Sequence, residues 1–188
     1  GGVGFGTDWL RVAANQLGGR VDRNRGVSGQ TASQIVGRFF ADTAPPHDVA
    51  IFWLGRNDMG DPGRVGEAAH PDTVKKYLAQ AIAALSGDKR FLVLSVLNGD
   101  FPDEQSGQSR YAAIVLLNTD LAAKYPANFI DVRTMLVAAA NAAMATDMAN
   151  QAADVPPASL RFDELHLNDA GHALVGKAVA AFLATRDW

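Results

Sequence analysis

Two uninterrupted apolar runs constrain the fold of this chain more than any other feature. They span Asp48–Leu54 and Arg90–Leu97, and strands of such composition are covered on both faces. Shorter strands are expected at Val21–Asn24 and Asn128–Val132. Segments with helical spacing of apolar residues alternate with these runs. The alternation predicts an α/β fold, a three-layer α/β/α doubly wound parallel sheet.

The helices of this fold are marked by caps and breakers. They are expected to begin after Thr7 or Asp8, to span Thr31–Phe40, Thr73–Leu85, Tyr111–Lys124 and Met135–Ala152, and to end the chain after a cap at Asn168 or Asp169. The stretch Met135–Ala152 is rich in alanine, which favours one packed helix. A chain of 188 residues with 48% hydrophobic residues is most simply one domain, residues 1–188.

Composition excludes several classes of function. The net charge of -3, without a basic block, argues against nucleic acid and anionic membranes as partners. The absence of cysteine excludes disulfides, a thiolate nucleophile and cysteine-bound zinc. No apolar run approaches the roughly 20 residues of a membrane span, and no His/Asp/Glu cluster has the spacing of a metal site. A secreted or periplasmic location is slightly favoured over a cytoplasmic one.

Four polar loops are expected at one edge of the sheet. Ligands bind outside the carboxyl ends of parallel strands, and the loops Gly26–Gln30, Gly55–Asp58, Asn98–Asp100 and Asp163–His166 all fall there. In the last loop an aspartate and a histidine lie three residues apart, just before a helix. A carboxylate can hold such an imidazole in one tautomer for use as a general base. The alternative is a surface loop whose aspartate caps a turn.

Three ordered motifs carry a resemblance to a known family. Residues 24–31 (NRGVSGQT), 55–58 (GRND) and 163–166 (DELH) resemble the second, third and fifth blocks of the SGNH, or GDSL-type, hydrolases. The resemblance implies a flavodoxin-like topology in which the Gly29 amide and the Asn57 side chain form an oxyanion hole. It also implies that Asp163 orients His166 as the base. The alternatives are a turn glycine with positive φ at Gly29 and a cap or turn residue at Asn57.

The family's first block, Gly-Asp-Ser, which supplies the nucleophile at the end of the first strand, does not occur in this sequence. The resemblance would place that strand and serine shortly before Gly1. We therefore expect an N-terminally incomplete domain whose first strand comes from an upstream peptide, a cleaved fragment or a partner chain. Ser28 is the less favoured substitute nucleophile, since Gln30 stands where a G-x-S-x-G elbow requires glycine. Its hydroxyl is expected to serve the turn or cap the helix that begins near Thr31.

The resemblance implies a serine ester hydrolase, with short acyl or O-acetyl esters, including those of carbohydrates, as favoured substrates and no cofactor. It leaves esterase, thioesterase and acetyltransferase open. One alternative is a non-catalytic ligand-binding domain that has lost its nucleophile. A nucleotide- or phosphate-binding module is less favoured because no G-x-G-x-x-G or Walker A motif is present. Of the remaining histidines, His172 is expected at the surface, and His47 and His70 in loops.

Overall fold

The computed structural model of the protein describes residues 8–19, 23–42, 49–60 and 69–188. The helices are α1 Trp9–Gln16, α2 Ala32–Ala41, α3 Pro71–Ala84, α4 Ser109–Lys124, α5 Val132–Ala138, α6 Ala145–Ala152 and α7 Asp169–Ala184. The strands are β1 Ala50–Phe52, β2 Phe91–Leu94 and β3 Phe129–Ile130, and short 3-10 turns occupy Arg56–Met59, Pro102–Glu104 and Ala158–Leu160. None of the helices in these ranges has the length and apolar character that crossing a bilayer demands.

The three described strands form a parallel sheet in the order β1-β2-β3. Side chains alternate across it, so that Phe91 and Val93 of β2 enter one core while Leu92 and Leu94 enter the other. The first core also contains residues of α2, α3 and α4, and the second contains residues of α1, α5 and α7. The expected α/β/α layers with strands buried on both faces are therefore confirmed.

Helix α1 lies against α7 at close range. A Cβ atom at Gly176 of α7 would be 2.5 Å from the carbonyl oxygen of Trp9, so only glycine permits this approach. Trp9 in turn makes an edge-to-face contact with Trp53, at 5.7 Å between ring centroids. Both tryptophans are partly buried and pack against the second core.

The strand expectations hold at the centre of the sheet and less well at its margin. β1, β2 and β3 are shorter than the apolar runs that predicted them. Arg23 and Asn24 are not in a strand, which corrects part of the strand expected at 21–24, while residues 21–22 lie outside the described ranges. Within those ranges β1 is paired on one side only, with β2. A further strand beside β1 therefore stays a prediction.

The single helix expected over Met135–Ala152 is wrong. α5 ends at Ala138 and α6 begins at Ala145, because the polar residues between and within these segments form local bonds that a continuous helix would not allow. Asp147 accepts a hydrogen bond from the Asn141 amide at 3.0 Å, and the Asn141 side chain accepts one from the Ala143 amide at 3.0 Å. The turn brings α6 back toward the loop that precedes α7.

A buried asparagine holds the backbone in place just after the carboxyl end of β2. Asn118 of α4 accepts a hydrogen bond from the Val96 amide at 2.8 Å and donates one to the Val96 carbonyl at 2.9 Å. The side-chain amide thus takes the place of a neighbouring strand where β2 has ended. It fixes the start of the loop that contains Gly99 and Asp100.

Candidate active site

Asp163 and His166 form a hydrogen-bonded pair on the loop before α7. His166 Nδ1 lies 2.8 Å from Asp163 Oδ2, and the other carboxylate oxygen, Oδ1, accepts from the amides of Leu165 at 2.8 Å and His166 at 2.6 Å. Since the carboxylate can only accept, Nδ1 carries the proton and Nε2 is left as the basic nitrogen. The His166 side chain is 67% exposed, so that nitrogen is accessible.

The same contacts stabilise the charged form of Asp163. Burial alone would raise its pKa, but the two backbone amides and the His166 imidazole outweigh that effect and lower the pKa of the carboxyl below its usual value. Asn168 caps α7 by accepting from the amides of Ala170 and Gly171, as expected. Helix α7 is therefore capped by Asn168, and Asp163 is available to bind His166.

Gly29 and Asn57 lie on neighbouring loops. The Asn57 Nδ2 donates to the carbonyl oxygen of Gln30, the residue after Gly29, at 2.9 Å. An amide nitrogen carries two hydrogens, so one remains for a ligand. Gly29 has φ of +77°, which confirms a turn role for this glycine, and its amide takes part in none of the hydrogen bonds found among the described residues. The two loops thus contact each other, and each carries an N–H for which no acceptor is found among the described residues.

Asp58 joins these two loops in a way that the sequence did not reveal. Its buried carboxylate accepts a hydrogen bond from the amide of Ala32, at the start of α2, at 2.7 Å. Burial raises the pKa of Asp58, and the bonds from backbone amides act in the opposite direction. Asp58 and Gln34 thus serve the N-terminus of α2, and the expected cap by Ser28 is not observed. Ser28 is exposed in the adjacent turn.

The two pairs of candidate residues are connected through the loop after β2. Glu104, on the 3-10 turn that follows this loop, binds Arg56, the neighbour of Asn57, at 2.8 Å. Asp100 binds Arg161, the residue that begins the histidine loop, at 3.0 Å. Sequence reasoning had placed Asp100 at this edge but missed the roles of Glu104, Arg161 and Arg56. The only feature of the sequence that could have pointed to these three residues is their charge within otherwise apolar or turn-forming segments.

The expectation that His172 is a surface residue is wrong. It is half-buried on α7, where its Nδ1 is enclosed without a hydrogen-bond partner. Burial lowers its pKa from the usual 6.5, and Asp8 and Asp169 act in the opposite direction. His70 precedes α3 and is exposed, while His47 lies outside the described residues. In the ranges that the structure describes, no three His, Asp or Glu side chains are grouped as a metal site would require.

Comparison with protein families identifies the family of this chain. Residues 1–174 match the model of the GDSL-like lipase/acylhydrolase family. The chain therefore belongs to that family, and carboxylic ester hydrolysis is the general activity that this membership supports. A comparison with curated protein sequences gives no significant match.

Solved structures with the same fold include several esterases. An acetyl xylan esterase, AlAXEase, is 19% identical with a TM-score of 0.67, over 95% of this chain and 91% of that one. A G-D-S-L family lipolytic protein from Veillonella parvula is 21% identical with a TM-score of 0.66, over 95% and 88%. The acetylxylan esterase Axe2 from Geobacillus stearothermophilus is 17% identical with a TM-score of 0.62, over 95% and 81%. At these identities the likeness shows the fold.

Proposed function

We propose that the protein is a serine esterase that cleaves short acyl or O-acetyl esters, including those of carbohydrates. His166 is the general base, Asp163 holds its tautomer, and the Gly29 amide and the Asn57 side chain bind the oxyanion. The observation that carries the proposal is the 2.8 Å pair of Asp163 and an exposed His166, whose Nε2 is left free to accept a proton.

The chemistry follows the usual course of acyl transfer through a covalent intermediate. A serine hydroxyl attacks the ester carbonyl as His166 Nε2 takes its proton, and His166 then returns that proton to the departing alcohol. Water, activated by the same imidazole, attacks the acyl-serine and releases the acid. In both steps negative charge collects on the carbonyl oxygen, where the Gly29 amide and the second hydrogen of Asn57 Nδ2 would donate.

A small acyl group suits the surroundings of the pair. Phe162, directly before Asp163, is 65% exposed, and Val27, two residues before Gly29, is 50% exposed, so each loop offers one apolar side chain beside polar ones. Such a mixture fits a short acyl group attached to a polar alcohol. The acetylxylan esterase activity named for AlAXEase and Axe2 is consistent with an O-acetyl carbohydrate ester here. For a polymeric carbohydrate substrate, a secreted or periplasmic location is the natural one.

The nucleophile is proposed to come from outside the described residues. The sequence has no Gly-Asp-Ser, and among the described serines none donates a hydrogen bond to His166. We place the serine on the strand expected beside the edge of β1 that no described strand pairs with, on an upstream or companion peptide. Ser28 stays the less favoured substitute, although it is exposed near the oxyanion donors.

The test is hydrolysis of p-nitrophenyl acetate, butyrate and octanoate, and of acetylated xylo-oligosaccharides, by the wild-type protein and by His166→Ala, each prepared together with the upstream or companion peptide proposed to supply the serine. The proposal expects hydrolysis that declines with acyl length and falls at least about 10³-fold in the variant. His172→Ala, which changes the other histidine of this region, is the control for general damage. Binding of acetylated oligosaccharide without turnover would instead favour the non-catalytic ligand-binding domain.

A further inference from the structure

The dipeptide of Gly99 and Asp100 has both backbone amides bound by groups that lead to different parts of the site. The Gly99 amide donates to Glu104 Oε2 at 2.7 Å. The Asp100 amide donates to the carbonyl oxygen of Glu164, inside the loop that holds Asp163 and His166, also at 2.7 Å. Two adjacent peptide groups therefore touch both halves of the candidate active site, one directly and one through Glu104.

The Glu104 side leads to the oxyanion half. Its carboxylate is completely buried and accepts two hydrogen bonds from Arg56 Nη2, at 2.8 and 3.1 Å. Burial raises the pKa of Glu104 and lowers that of Arg56, and their mutual attraction opposes both effects. Because Arg56 precedes Asn57 in the same 3-10 turn, a displacement of Glu104 would move Arg56 and with it the Asn57 backbone.

The Asp100 side leads to the histidine half. Its Oδ2 accepts hydrogen bonds from Arg161 Nη2 at 3.0 Å and from Asn150 Nδ2 at 2.8 Å. Arg161 is 4% exposed in its side chain, and its Nη1 donates to the carbonyl oxygen of Asp163 at 2.9 Å. The aspartate that orients His166 is thus held through its own main chain by an arginine that is itself anchored on Asp100.

We propose that Gly99 and Asp100 form a positioning element that sets the place of the Asp163–His166 loop relative to the Asn57 loop. Arg161 connects this element to the Asp163–His166 loop, and Glu104 connects it to the Asn57 loop. None of these four residues touches the reacting atoms, so they act through the residues they hold. The kinetic part of this inference rests on the proposed esterase function, whereas the structural part can be measured without any substrate.

Gly99 offers the sharpest perturbation, because its contacts leave no room for a side chain. A Cβ atom there would lie 2.8 Å from the Glu164 carbonyl oxygen and 2.6 Å from the Phe101 ring. Gly99→Ala therefore pushes on the histidine loop without changing any charge. Gly37→Ala is the matched control, since a Cβ at this exposed position of α2 has no described atom within 4 Å.

Gly99→Ala is expected to change both kcat and the NMR resonances of the Asp163–His166 loop. A misplacement of about 1 Å between base and oxyanion donors can cost about 10²-fold in rate. Gly99→Ala is therefore expected to lower kcat by about 10²-fold, with KM changed by less than about threefold. In ¹⁵N NMR spectra the Leu165 and His166 amides and the His166 ring nitrogens should shift. Gly37→Ala should leave kcat and all these resonances as in the wild type.

A second variant covers the case in which Gly99→Ala fails to fold. Arg161→Gln removes the ion pair with Asp100. Lys75→Gln is its control, because it removes the ion pair of Lys75 with Asp120 at 2.7 Å, which joins α3 to α4 and takes no part in the hydrogen bonds around residues 99–104 and 161–166. Both variants lose an ion pair. Only Arg161→Gln should shift the Leu165 and His166 resonances and lower kcat in the fraction that is folded.

The outcomes are distinct. Shifted loop resonances in Gly99→Ala or Arg161→Gln, together with unchanged ones in their controls, support the positioning element. A folded Gly99→Ala or Arg161→Gln protein that keeps the wild-type loop resonances overturns it. If the wild-type protein hydrolyses no ester, the proposed function fails, but the resonances still decide the structural part. If the wild type is active and the loop shifts without a fall in kcat, the positioning role in catalysis is refuted.

Discussion

Replacing Asp163 by asparagine tests how the structure assigns the proton on His166. The two carboxylate oxygens have separate partners, because Oδ1 accepts from two backbone amides and Oδ2 faces His166 Nδ1 at 2.8 Å. In Asp163→Asn the amide oxygen is needed by the backbone amides, so the amide nitrogen faces the ring. Two donors cannot share that contact, and the imidazole is forced to carry its proton on Nε2, where it cannot act as a base.

The expected loss is large for so small a change. Stabilising the wrong tautomer of a catalytic histidine costs about 10⁴-fold in kcat, or about 5 kcal/mol of activation free energy. The free energy of unfolding should change little by comparison, since the backbone amides of the loop keep an acceptor. Initial rates with p-nitrophenyl acetate, together with thermal unfolding, measure the two quantities independently.

The chain provides a matched control. Asp131 accepts a backbone hydrogen bond from Thr134 at 3.0 Å and a side-chain one at 2.7 Å, so it has the same i to i+3 pattern without a histidine. Asp131→Asn should change kcat by less than twofold. If Asp163→Asn keeps more than about a tenth of the wild-type kcat, the assigned tautomer and the role of Asp163 are wrong.

Three further predictions follow from the same structure. Asn57→Ala should lower kcat about 10²–10³-fold through loss of one oxyanion donor, with little change in KM in steady-state assays; an unchanged kcat would remove Asn57 from the site. Burial lowers the pKa of His172 in the folded state, so the unfolded chain binds the proton more readily. The free energy of unfolding therefore decreases as pH falls from 6.5 through the lowered pKa of the folded state. Urea unfolding at pH 7 and pH 5 should show this loss in the wild type and a smaller one in His172→Gln, and equal losses would contradict the assignment. Leu92→Ala should reduce the free energy of unfolding by about 2–5 kcal/mol, since this side chain is completely buried in β2; a loss below about 1 kcal/mol in urea unfolding would contradict such packing.

The layers of the fold could be predicted because they depend on local pattern. The apolar runs at 48–54 and 90–97 required cover on both faces, and the structure places their alternate residues in two cores. The pairing of Asp163 with His166 was also accessible, since its partners are three residues apart. Asn168 was recognisable as a helix cap for the same reason.

The rest depended on contacts between distant residues or on buried polar groups. The Arg56–Glu104 and Asp100–Arg161 pairs join residues 48 and 61 positions apart, and charge alone does not identify such partners. The break in the alanine-rich segment arose because Asp147 is fully buried and accepts bonds from Asn141 and Ser159. The helix propensity of alanine favoured one continuous helix in this segment. The need to hydrogen-bond the buried Asp147 carboxylate outweighed that preference.

The central claim is that His166 activates a serine, and trapping that serine tests it most directly. The protein, together with the upstream or companion peptide proposed to supply the serine, would be treated with a p-nitrophenyl alkylphosphonate, followed by intact mass measurement and peptide mapping. We predict a single covalent adduct on one serine, absent in His166→Ala and present in Asp131→Asn, with loss of ester hydrolysis in proportion to labelling. An adduct on Ser28 would place the nucleophile beside Gly29. Ester hydrolysis without any adduct, or equal labelling of the His166→Ala variant, would contradict the account.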